Sequence, residues 1–331
     1  MRRGRLPPAD LFQNASLVIN TVCDVANPTA EFKNAAKNFK SNGLAAAVLN
    51  HDTEKLFNWL MHVLSFQGIA DRSAQTIIER DGNVTWRAVK RSLRDASCPK
   101  LHGFWSFHRC QFQKIKFSCA EIGHLADCPL PRHRLRNGHL NQMAYSLYLF
   151  MRDVADGDFV GWLDQIITDN GGATRSSYFE ILDALKAVYG TSDKVWSMAL
   201  ASLFLGAAKV RPEWRKLGTD VVVIDRLVHN FLHRTGLASG FGNRHRYGTA
   251  CYGSGGCAET LSQLVRLVDC RRFDPAFPRL FPRFVQNALW RYCAVSEINV
   301  CNGTQIDDSK RCQNACCSVR PFCSRKPLRA A

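Results

Sequence analysis

The sequence predicts an all-α protein, and three observations support this prediction. First, apolar residues recur at intervals of three and four in five long segments, as along one face of an amphipathic helix. Second, only residues 114–118 and 221–224 have the composition of β-strands. Third, the chain has 331 residues and is 46% hydrophobic, enough for two domains or one large domain with an extensive core. The five helical segments are residues 54–67, 140–154, 177–190, 193–206 and 282–295.

Two of the predicted helices have recognisable ends. Gly190 is predicted to end the helix of residues 177–190, because glycine commonly follows the last helical turn. Asp225 follows the apolar run of residues 221–224 and is predicted to cap a new helix. The same carboxylate could also be catalytic, and the local pattern leaves both roles open. The apolar face of this helix comprises Leu227, Val228, Phe231 and Leu232.

Other segments depart from helical periodicity. Residues 98–139 are rich in cysteine, histidine and basic residues, and residues 238–257 are glycine-rich and loop-like. We interpret both segments as insertions or connectors. The longest apolar stretch, residues 195–208, contains two serines and is shorter than the roughly 20 residues that a membrane span requires. No membrane span is therefore predicted.

The N-terminus bears on the role of the 14 cysteines. It is positively charged like a signal peptide, but Pro7, Pro8, Ala9 and Asp10 stand where an apolar segment would begin. The sequence therefore predicts a protein that is not secreted and that resides in the cytoplasm, associated with the nucleoid. In a reducing compartment the cysteines are expected to bind metals or clusters rather than to form disulfides.

The charge balance indicates a polyanionic partner. The formal net charge is +16, the sequence pI is near 9.4, and basic clusters recur along the chain. Lysine and arginine side chains that neutralise phosphates release counterions, which favours binding to nucleic acid in general. The alternative is a protein whose charges are only solvated.

The first cysteine cluster has the composition of a zinc site. Cys110, Cys119, His124 and Cys128 have the spacing C-x8-C-x4-H-x3-C, and thiolates and imidazoles are the ligands that tetrahedral zinc takes. The segment also has few apolar residues with which to fold by itself. A set of unrelated buried thiols would have the same composition. Alternative ligands are Cys98, His102, His108 and His133.

A second cluster lies at the C-terminus. Five cysteines follow the last predicted helix within 23 residues, and four converging thiolates suit either an iron–sulfur cubane or an all-thiolate zinc site. The spacing alone does not distinguish these cofactors. The five cysteines are Cys301, Cys312, Cys316, Cys317 and Cys323.

Three motifs occur in an order that resembles a known family. An aliphatic run ends at Asp225, Arg234 and Thr235 follow on the next helix, and a cysteine cluster closes the chain. Together they resemble the helix-hairpin-helix DNA glycosylase superfamily, especially its iron–sulfur, endonuclease III-like branch. The resemblance covers residues 54–95 and 140–323 and implies two helical domains, with the zinc segment as an insertion.

The resemblance assigns roles to individual residues. It implies that Asp225 is catalytic, that Gln67 enters the space left by an extruded base, and that Gly190 and Ser192 belong to the DNA-binding hairpin. Lys194, four residues after Gly190, matches the lysine of members that also cleave the strand. The implied ligands of a 4Fe-4S cluster are Cys301, Cys312, Cys317 and Cys323, with Cys293 and Cys316 as alternates for Cys301 and Cys317.

The resemblance also implies a domain organisation and an activity. Residues 1–53 are expected to pack on the C-terminal domain of residues 221–331, and residues 54–220 to form a helical barrel that contains the insertion at 98–139. The implied protein is a monomeric DNA glycosylase, with or without lyase activity, that flips damaged bases out of double-stranded DNA. The alternatives are a non-catalytic, metal-containing DNA-binding protein of the same fold and a metal-stapled interaction protein that does not bind DNA.

Overall fold

The computed structural model describes residues 9–66, 71–82, 84–94, 96–113, 115–116, 118–121, 128–130 and 139–328. Within these residues the chain is predominantly helical and has one two-stranded sheet, which confirms the all-α class. The α-helices are α1 (Ala9–Val25), α2 (Thr29–Ser41), α3 (Leu44–Leu49), α4 (Thr53–Ser65), α5 (Asp71–Asp81), α6 (Trp86–Arg94), α7 (Phe104–Phe107), α8 (His139–Asp153), α9 (Phe159–Asp169), α10 (Arg175–Leu185), α11 (Asp193–Gly206), α12 (Trp214–Asp220), α13 (Arg226–Arg234), α14 (Leu237–Gly240), α15 (Cys257–Leu264) and α16 (Pro282–Cys293).

The chain divides into two compact units. Unit 1 combines Met1–Ala35 with Gly218–Ala331, and unit 2 is Ala36–Leu217. The first boundary therefore lies within α2, between residues 35 and 36, whereas the sequence predicts it at residues 53/54. The physical reason is hydrophobic, because Leu44, Ala47 and Val48 of α3 are buried in the core of unit 2.

Unit 2 is organised around a helix that is buried on all sides. Every side chain of α8 from Asn141 to Met151 is buried, so this stretch of the helix has no solvent face. α4, α6 and α7 pack against α8, and α4 also contacts α11. Large aromatic side chains fill the core of this unit, including Phe57, Phe150 and Trp196.

The turn between α10 and α11 lies where the sequence predicts a hairpin. The predicted helix of residues 177–190 ends at Leu185 rather than at Gly190, and residues 186–190 form turns. Tyr189 donates its backbone N–H to the side-chain Oγ of Ser146 at 2.9 Å rather than to a helical carbonyl oxygen. Gly190 has a φ of 76°, a left-handed conformation that glycine adopts without a steric penalty.

The structure corrects both strand predictions. Residues 115–116 form the turn of a hairpin between β1 (Phe112–Gln113) and β2 (Ser118–Cys119), so the turn occupies the middle of the predicted strand. Residues 221–224 have no regular secondary structure and pair with no strand among the described residues. Instead, Ile224 donates its backbone N–H to Tyr252 Oη at 2.9 Å.

Unit 1 joins the first helix of the chain to the last ones. α1 packs against α15 and α16, and α16 also packs against α13. The buried stripe of α1 includes Val18, Ile19 and Val22, at the spacing of one helical face. After α16, residues 294–328 contain turns and one 3₁₀ helix, Arg320–Phe322, and no α-helix.

No helix among the described residues has both the length and the apolar character that are needed to cross a membrane.

Candidate metal centre

The site begins at the N-terminus of α13. Asp225 is the N-cap of this helix, and its side chain accepts a hydrogen bond from the backbone N–H of Val228 at 2.9 Å. The predicted cap is thus present. The apolar face points into unit 1 as predicted, because Val228, Phe231 and Leu232 are buried.

Two histidines occupy another face of the same helix. His229 and His233 are four residues apart, so their side chains lie one turn apart on one side of the helix. Their ring centroids are separated by 4.2 Å. His229 is buried and His233 is half-buried.

A glycine-rich loop, residues 241–256, brings further ligands to these histidines. Its first part is fixed by Asn243, whose N–H donates to Ala238 O at 2.8 Å and whose side chain donates to Thr260 Oγ1. Its last residue, Gly256, is tightly enclosed, because a Cβ there would lie 2.4 Å from Ala250 O. The loop therefore closes on itself just before α15 begins at Cys257.

Four side chains meet where the loop reaches α13. Ligand atoms of His229, His233, His245 and Cys257 all lie within 4.8 Å of one another. In the part of the chain that the structure describes, no separate group of three or more such residues is so close. This group of four residues, called here the His/Cys group, could bind a metal ion.

Neutral imidazoles are the state that such a site requires. Burial, together with the neighbouring His229, His245 and Lys326, lowers the pKa of His233 to about 4. At neutral pH the His233 ring is therefore uncharged and has a free electron pair for a metal ion. Cys251 lies beside the group, and a hydrogen bond from Cys257 lowers the pKa of the Cys251 thiol while that of Cys257 is raised.

A cationic pocket of about 450 Å³ opens above the histidines. Arg226, Arg244, Arg246 and Lys326 contribute to its lining, and none of the described residues that line it is acidic. The Arg226 guanidinium also lies over the ring of Tyr247, 5.7 Å from its centroid. The pocket is therefore suited to an anionic ligand.

The C-terminal thiols lie around a second, smaller cavity. Cys301, Cys312, Cys317 and Cys323 all line it, and these are the four residues that the resemblance implies as cluster ligands. Of the alternates, Cys316 is exposed, whereas Cys293 is buried in α16 and hydrogen-bonds to Cys301. The four thiols that line the cavity do not form a group whose ligand atoms all lie within 4.8 Å of one another, as the His/Cys group does.

Backbone N–H groups point at two of these thiols. Cys317 accepts a hydrogen bond from Val319, and Cys323 accepts one from Arg325 at 3.3 Å. Burial raises the pKa of both thiols, that of Cys323 to about 11, and these N–H groups oppose that effect. Donors aimed at sulfur stabilise the thiolate form that metals bind.

Arg234 connects α13 to this cavity. It is 1% exposed, its Nη1 lies 3.5 Å from Cys301 Sγ, and it forms an ion pair with Asp308. The Nε atoms of Arg234 and of Arg325, which also lines the cavity, are buried without a hydrogen-bond partner. Buried donors without acceptors, together with four thiols, fit a cavity that receives an anionic thiolate-ligated group.

The first cysteine cluster is partly described. Cys110, Cys119 and Cys128 lie close enough to one another and to Cys98 for their charges to influence the pKa values of Cys110 and Cys128. Cys110 and Cys128 also accept backbone N–H bonds from the residues two positions later. The structure therefore groups three predicted ligands with the alternative Cys98, whereas His124 lies outside the described residues.

The remaining predicted residues lie in unit 2. Lys194 is partly exposed in the first turn of α11, next to Asp193, which forms an ion pair with Lys186 at 3.3 Å. Ser192 is the exposed N-cap of α11. Gln67 lies outside the described residues. Asp225 belongs to unit 1.

The His/Cys group is not among the sites predicted from the sequence. From the sequence, residues 238–257 are interpreted as an insertion or connector, and α13 is described only by its apolar face. A signal was present, because His229-x3-His233 on a helix places two imidazoles on one side, and His245, Cys251 and Cys257 follow closely.

Comparison of the chain with protein-family models, with curated proteins and with solved structures gives no match. The resemblance to helix-hairpin-helix glycosylases therefore depends on the motifs and on their order along the chain.

Proposed function

We propose that the protein is a DNA glycosylase that removes damaged bases from double-stranded DNA. The observation that carries the proposal is the surroundings of Asp225. This carboxylate follows a buried aliphatic run and caps α13, and the last residue of α13, Arg234, contacts the thiol cavity. The same order of parts is the basis of the family resemblance, and the net charge of +16 suits a DNA ligand.

The capping position gives Asp225 a suitable charge state for this chemistry. A helix N-terminus favours a negative charge, so the carboxylate stays ionised at neutral pH. A departing base leaves an oxocarbenium-like sugar, and a carboxylate close to C1′ stabilises that positive charge. Asp225 would thus lower the barrier to base release.

Lys194 is the proposed nucleophile of a coupled lyase step. Its neutral amine would attack C1′ as the base leaves, and the C1′–O4′ bond of the sugar ring would then break, with O4′ taking up a proton, to give the imine. Loss of a C2′ proton from this imine would break the C3′–O bond and release the 3′-phosphate. The turn before it, with Gly190 in a left-handed conformation, follows α10 as the hairpin of the family does. An arrangement of this kind supports the lysine role.

The two groups of cysteines suit metals with a structural role. The four thiols at the C-terminal cavity and the two buried arginine Nε donors beside them suit a 4Fe-4S cluster. Such a cluster would contribute charge and link the four cysteines to one another, and it would not take part in base removal. Cys110, Cys119 and Cys128, with His124 as the fourth ligand or Cys98 as its alternative, suit a structural zinc ion. The C-terminal group would hold a segment that contains no α-helix among its described residues.

Base release from a panel of lesion-bearing duplexes tests the proposal. We expect the parent to release at least one damaged base and Asp225→Asn to release it slower by about two orders of magnitude or more. Asp307→Asn, at an exposed acid of the same unit, serves as the control and should match the parent.

A second readout separates the two activities. Borohydride should trap a covalent adduct between the parent and the duplex, and Lys194→Ala should form none. A parent that binds duplex DNA but releases no base from any lesion would instead identify a non-catalytic DNA-binding protein. Asp225→Asn with the parent rate would leave Asp225 as a cap only.

A further inference from the structure

We propose that His229, His233, His245 and Cys257 bind one zinc ion that fastens the loop of residues 241–256 to α13. The site shares no residue with either cysteine cluster, and the family resemblance assigns no role to any of its four residues. It also does not depend on the proposed glycosylase activity. Its four members come from one helix, one loop and the first residue of α15.

The donor set favours zinc. Three imidazoles and one thiolate are borderline to soft ligands, whereas calcium and magnesium require oxygen ligands. Four donors also match the tetrahedral coordination that zinc adopts in closed structural sites.

The distances match a tetrahedral ion. In such a site the imidazole nitrogen is about 2.1 Å and the thiolate sulfur about 2.3 Å from zinc, which places N and S about 3.6 Å apart. Cys257 Sγ lies 3.3 Å from His229 Nδ1, 3.4 Å from His245 Nε2 and 3.8 Å from His233 Nε2. All three separations fall close to the expected edge of the tetrahedron.

The second nitrogen of His245 has a partner of its own. His245 Nδ1 lies 3.0 Å from the carbonyl oxygen of Arg246, which can only accept a hydrogen bond. A proton on Nδ1 leaves the electron pair on Nε2, the atom that faces Cys257. Outer hydrogen bonds of this kind fix the tautomer and orientation of metal-binding histidines.

Cys251 is excluded from the four ligands by its position. Its sulfur is 3.5 Å from His229 Nδ1, but its contact with His245, at 4.0 Å, is to Nδ1, whereas Cys257 contacts Nε2 of the same ring. It also falls outside the set whose atoms are mutually within 4.8 Å. We assign it a supporting contact to His229.

The consequence of the ion is order in the loop. Residues 241–256 contain five glycines and few apolar side chains, so the loop has little core with which to hold its conformation. A zinc ion bound by His245 and Cys257 would hold the loop to α13 at His245 and at its C-terminal end. Arg244 and Arg246 flank His245 and would be positioned with it.

Metal content and proteolysis test the zinc site in the full-length protein. Zinc per chain is measured by mass spectrometry after dialysis against metal-free buffer. We expect His245→Gln to hold about one zinc fewer than the parent, whereas His245→Cys, which restores a ligand, retains it. His62→Gln, at an exposed histidine of α4, is the matched control and should keep the full content.

Two further measurements locate the ion. Trypsin should cleave after Arg244 and Arg246 faster in His245→Gln than in the parent, because the loop is no longer held. In the cobalt-substituted protein, the sulfur-to-cobalt absorption should fall in Cys257→Ser and persist in Cys251→Ser. Circular dichroism checks that each variant is folded.

Defined outcomes would overturn the zinc site. One is a folded His245→Gln variant with the zinc content and trypsin rate of the parent. Another is a folded His245→Cys variant that contains one zinc fewer than the parent. This second outcome tests the site even if His245→Gln does not fold. Equal loss of cobalt absorption in Cys251→Ser and Cys257→Ser would overturn the assigned ligand set.

The charges of the neighbouring pocket carry a second inference. We infer that the pocket binds a phosphate group, because Arg226, Arg244, Arg246 and Lys326 surround about 450 Å³ and no acidic residue is among its lining residues. Arg226, which lines the pocket, directly follows Asp225 in the chain, so the pocket lies beside the proposed catalytic residue. Where the phosphate belongs to DNA, the inference rests on the proposed function.

Calorimetric titration with inorganic phosphate, at constant ionic strength, tests the pocket. Arg244→Gln with Arg246→Gln is expected to weaken phosphate binding about tenfold or more, since hydrogen bonds to charged groups are lost. Arg266→Gln with Arg271→Gln removes the same charge at exposed sites of this unit outside the pocket and should bind as the parent does. Equal affinities for the two double variants would overturn the inference.

Competition identifies the source of the phosphate. A duplex that displaces inorganic phosphate from the parent assigns the pocket to the DNA backbone, whereas a mononucleotide that displaces it when the duplex does not assigns it to small phosphate esters. The second result would retain the pocket and contradict the proposed function. Failure of the parent to bind inorganic phosphate, the mononucleotide and the duplex would overturn the pocket itself.

Discussion

Asp225 carries a structural role that can be separated from its proposed chemistry. Its side chain accepts the Val228 N–H at 2.9 Å, and asparagine offers a similar oxygen at the same position. We predict that Asp225→Ala lowers the free energy of unfolding by about 1 kcal/mol and that Asp225→Asn lowers it by about 0.5 kcal/mol or less. Urea denaturation followed by circular dichroism measures both. Equal losses in the two variants would show that the cap contributes nothing specific.

Arg234 is the second residue whose environment gives a defined expectation. Its guanidinium is buried, contacts Cys301 and pairs with Asp308, so its removal breaks charge-assisted bonds. We predict that Arg234→Met lowers the free energy of unfolding by about 2 kcal/mol. Arg320→Met, at a partly exposed arginine that lines the same cavity, should cost clearly less. Similar losses from both variants would contradict a specific role for the Arg234 contacts.

At the scale of elements, the loop before α15 depends on one glycine. A Cβ at Gly256 would lie 2.4 Å from Ala250 O and 2.5 Å from Cys251 O, and both are backbone atoms that cannot turn away. We predict that Gly256→Ala lowers the free energy of unfolding by about 1–3 kcal/mol and reduces zinc binding. Thermal unfolding and metal analysis measure the two effects.

Gly253 is the matched control for this loop. A Cβ there would lie 3.7 Å from Ala250 O, an ordinary contact, so Gly253→Ala should unfold as the parent does. If both alanine variants behaved like the parent, the close approach at Gly256 would be irrelevant to stability. A destabilised Gly256→Ala with unchanged zinc would separate loop packing from the metal site.

The elements differ in how far the sequence predicts them. All five segments with helical periodicity are helices, because an apolar face recurs within a few turns of the chain. The run at residues 221–224 is not a strand, because a strand also needs a partner that the local sequence does not specify. The His/Cys group combines residues that are 28 positions apart along the chain, and only the path of a glycine-rich loop brings them together.

At the scale of the whole molecule, the two halves of unit 1 are far apart in sequence. α1 packs against α15 and α16, and its buried side chains Val18, Ile19 and Val22 lie on one helical face. The hydrophobic pattern of α1 therefore predicts that one face of this helix is buried. It does not predict which segment of the chain packs against that face. The C-terminal tail is joined to α13 by backbone bonds, since Lys326 N–H donates to Arg234 O at 2.8 Å and Ser324 N–H to Thr235 O at 3.1 Å.

The net charge of +16 can attract DNA only through basic side chains that are exposed at the surface. α6 is one such surface, because its single fully buried side chain is Val89 and its basic side chains are exposed. These exposed residues are Arg87, Lys90, Arg91 and Arg94. Contacts between such a face and phosphates would release counterions from DNA, so affinity should fall as salt rises.

We predict that the logarithm of the duplex association constant falls with the logarithm of salt concentration with a slope of about −4 or steeper, as for five or more neutralised phosphates. Fluorescence anisotropy with a labelled duplex at several salt concentrations measures the slope.

The double variant Lys90→Gln with Arg91→Gln should make this slope shallower by up to about 1.8, since each lost phosphate contact removes about 0.9. Lys37→Gln with Lys40→Gln removes the same charge from exposed positions of α2 and should leave the slope unchanged. Equal changes for the two pairs would indicate attraction by overall charge rather than by the α6 face, and a slope near zero for the parent would exclude the DNA partner.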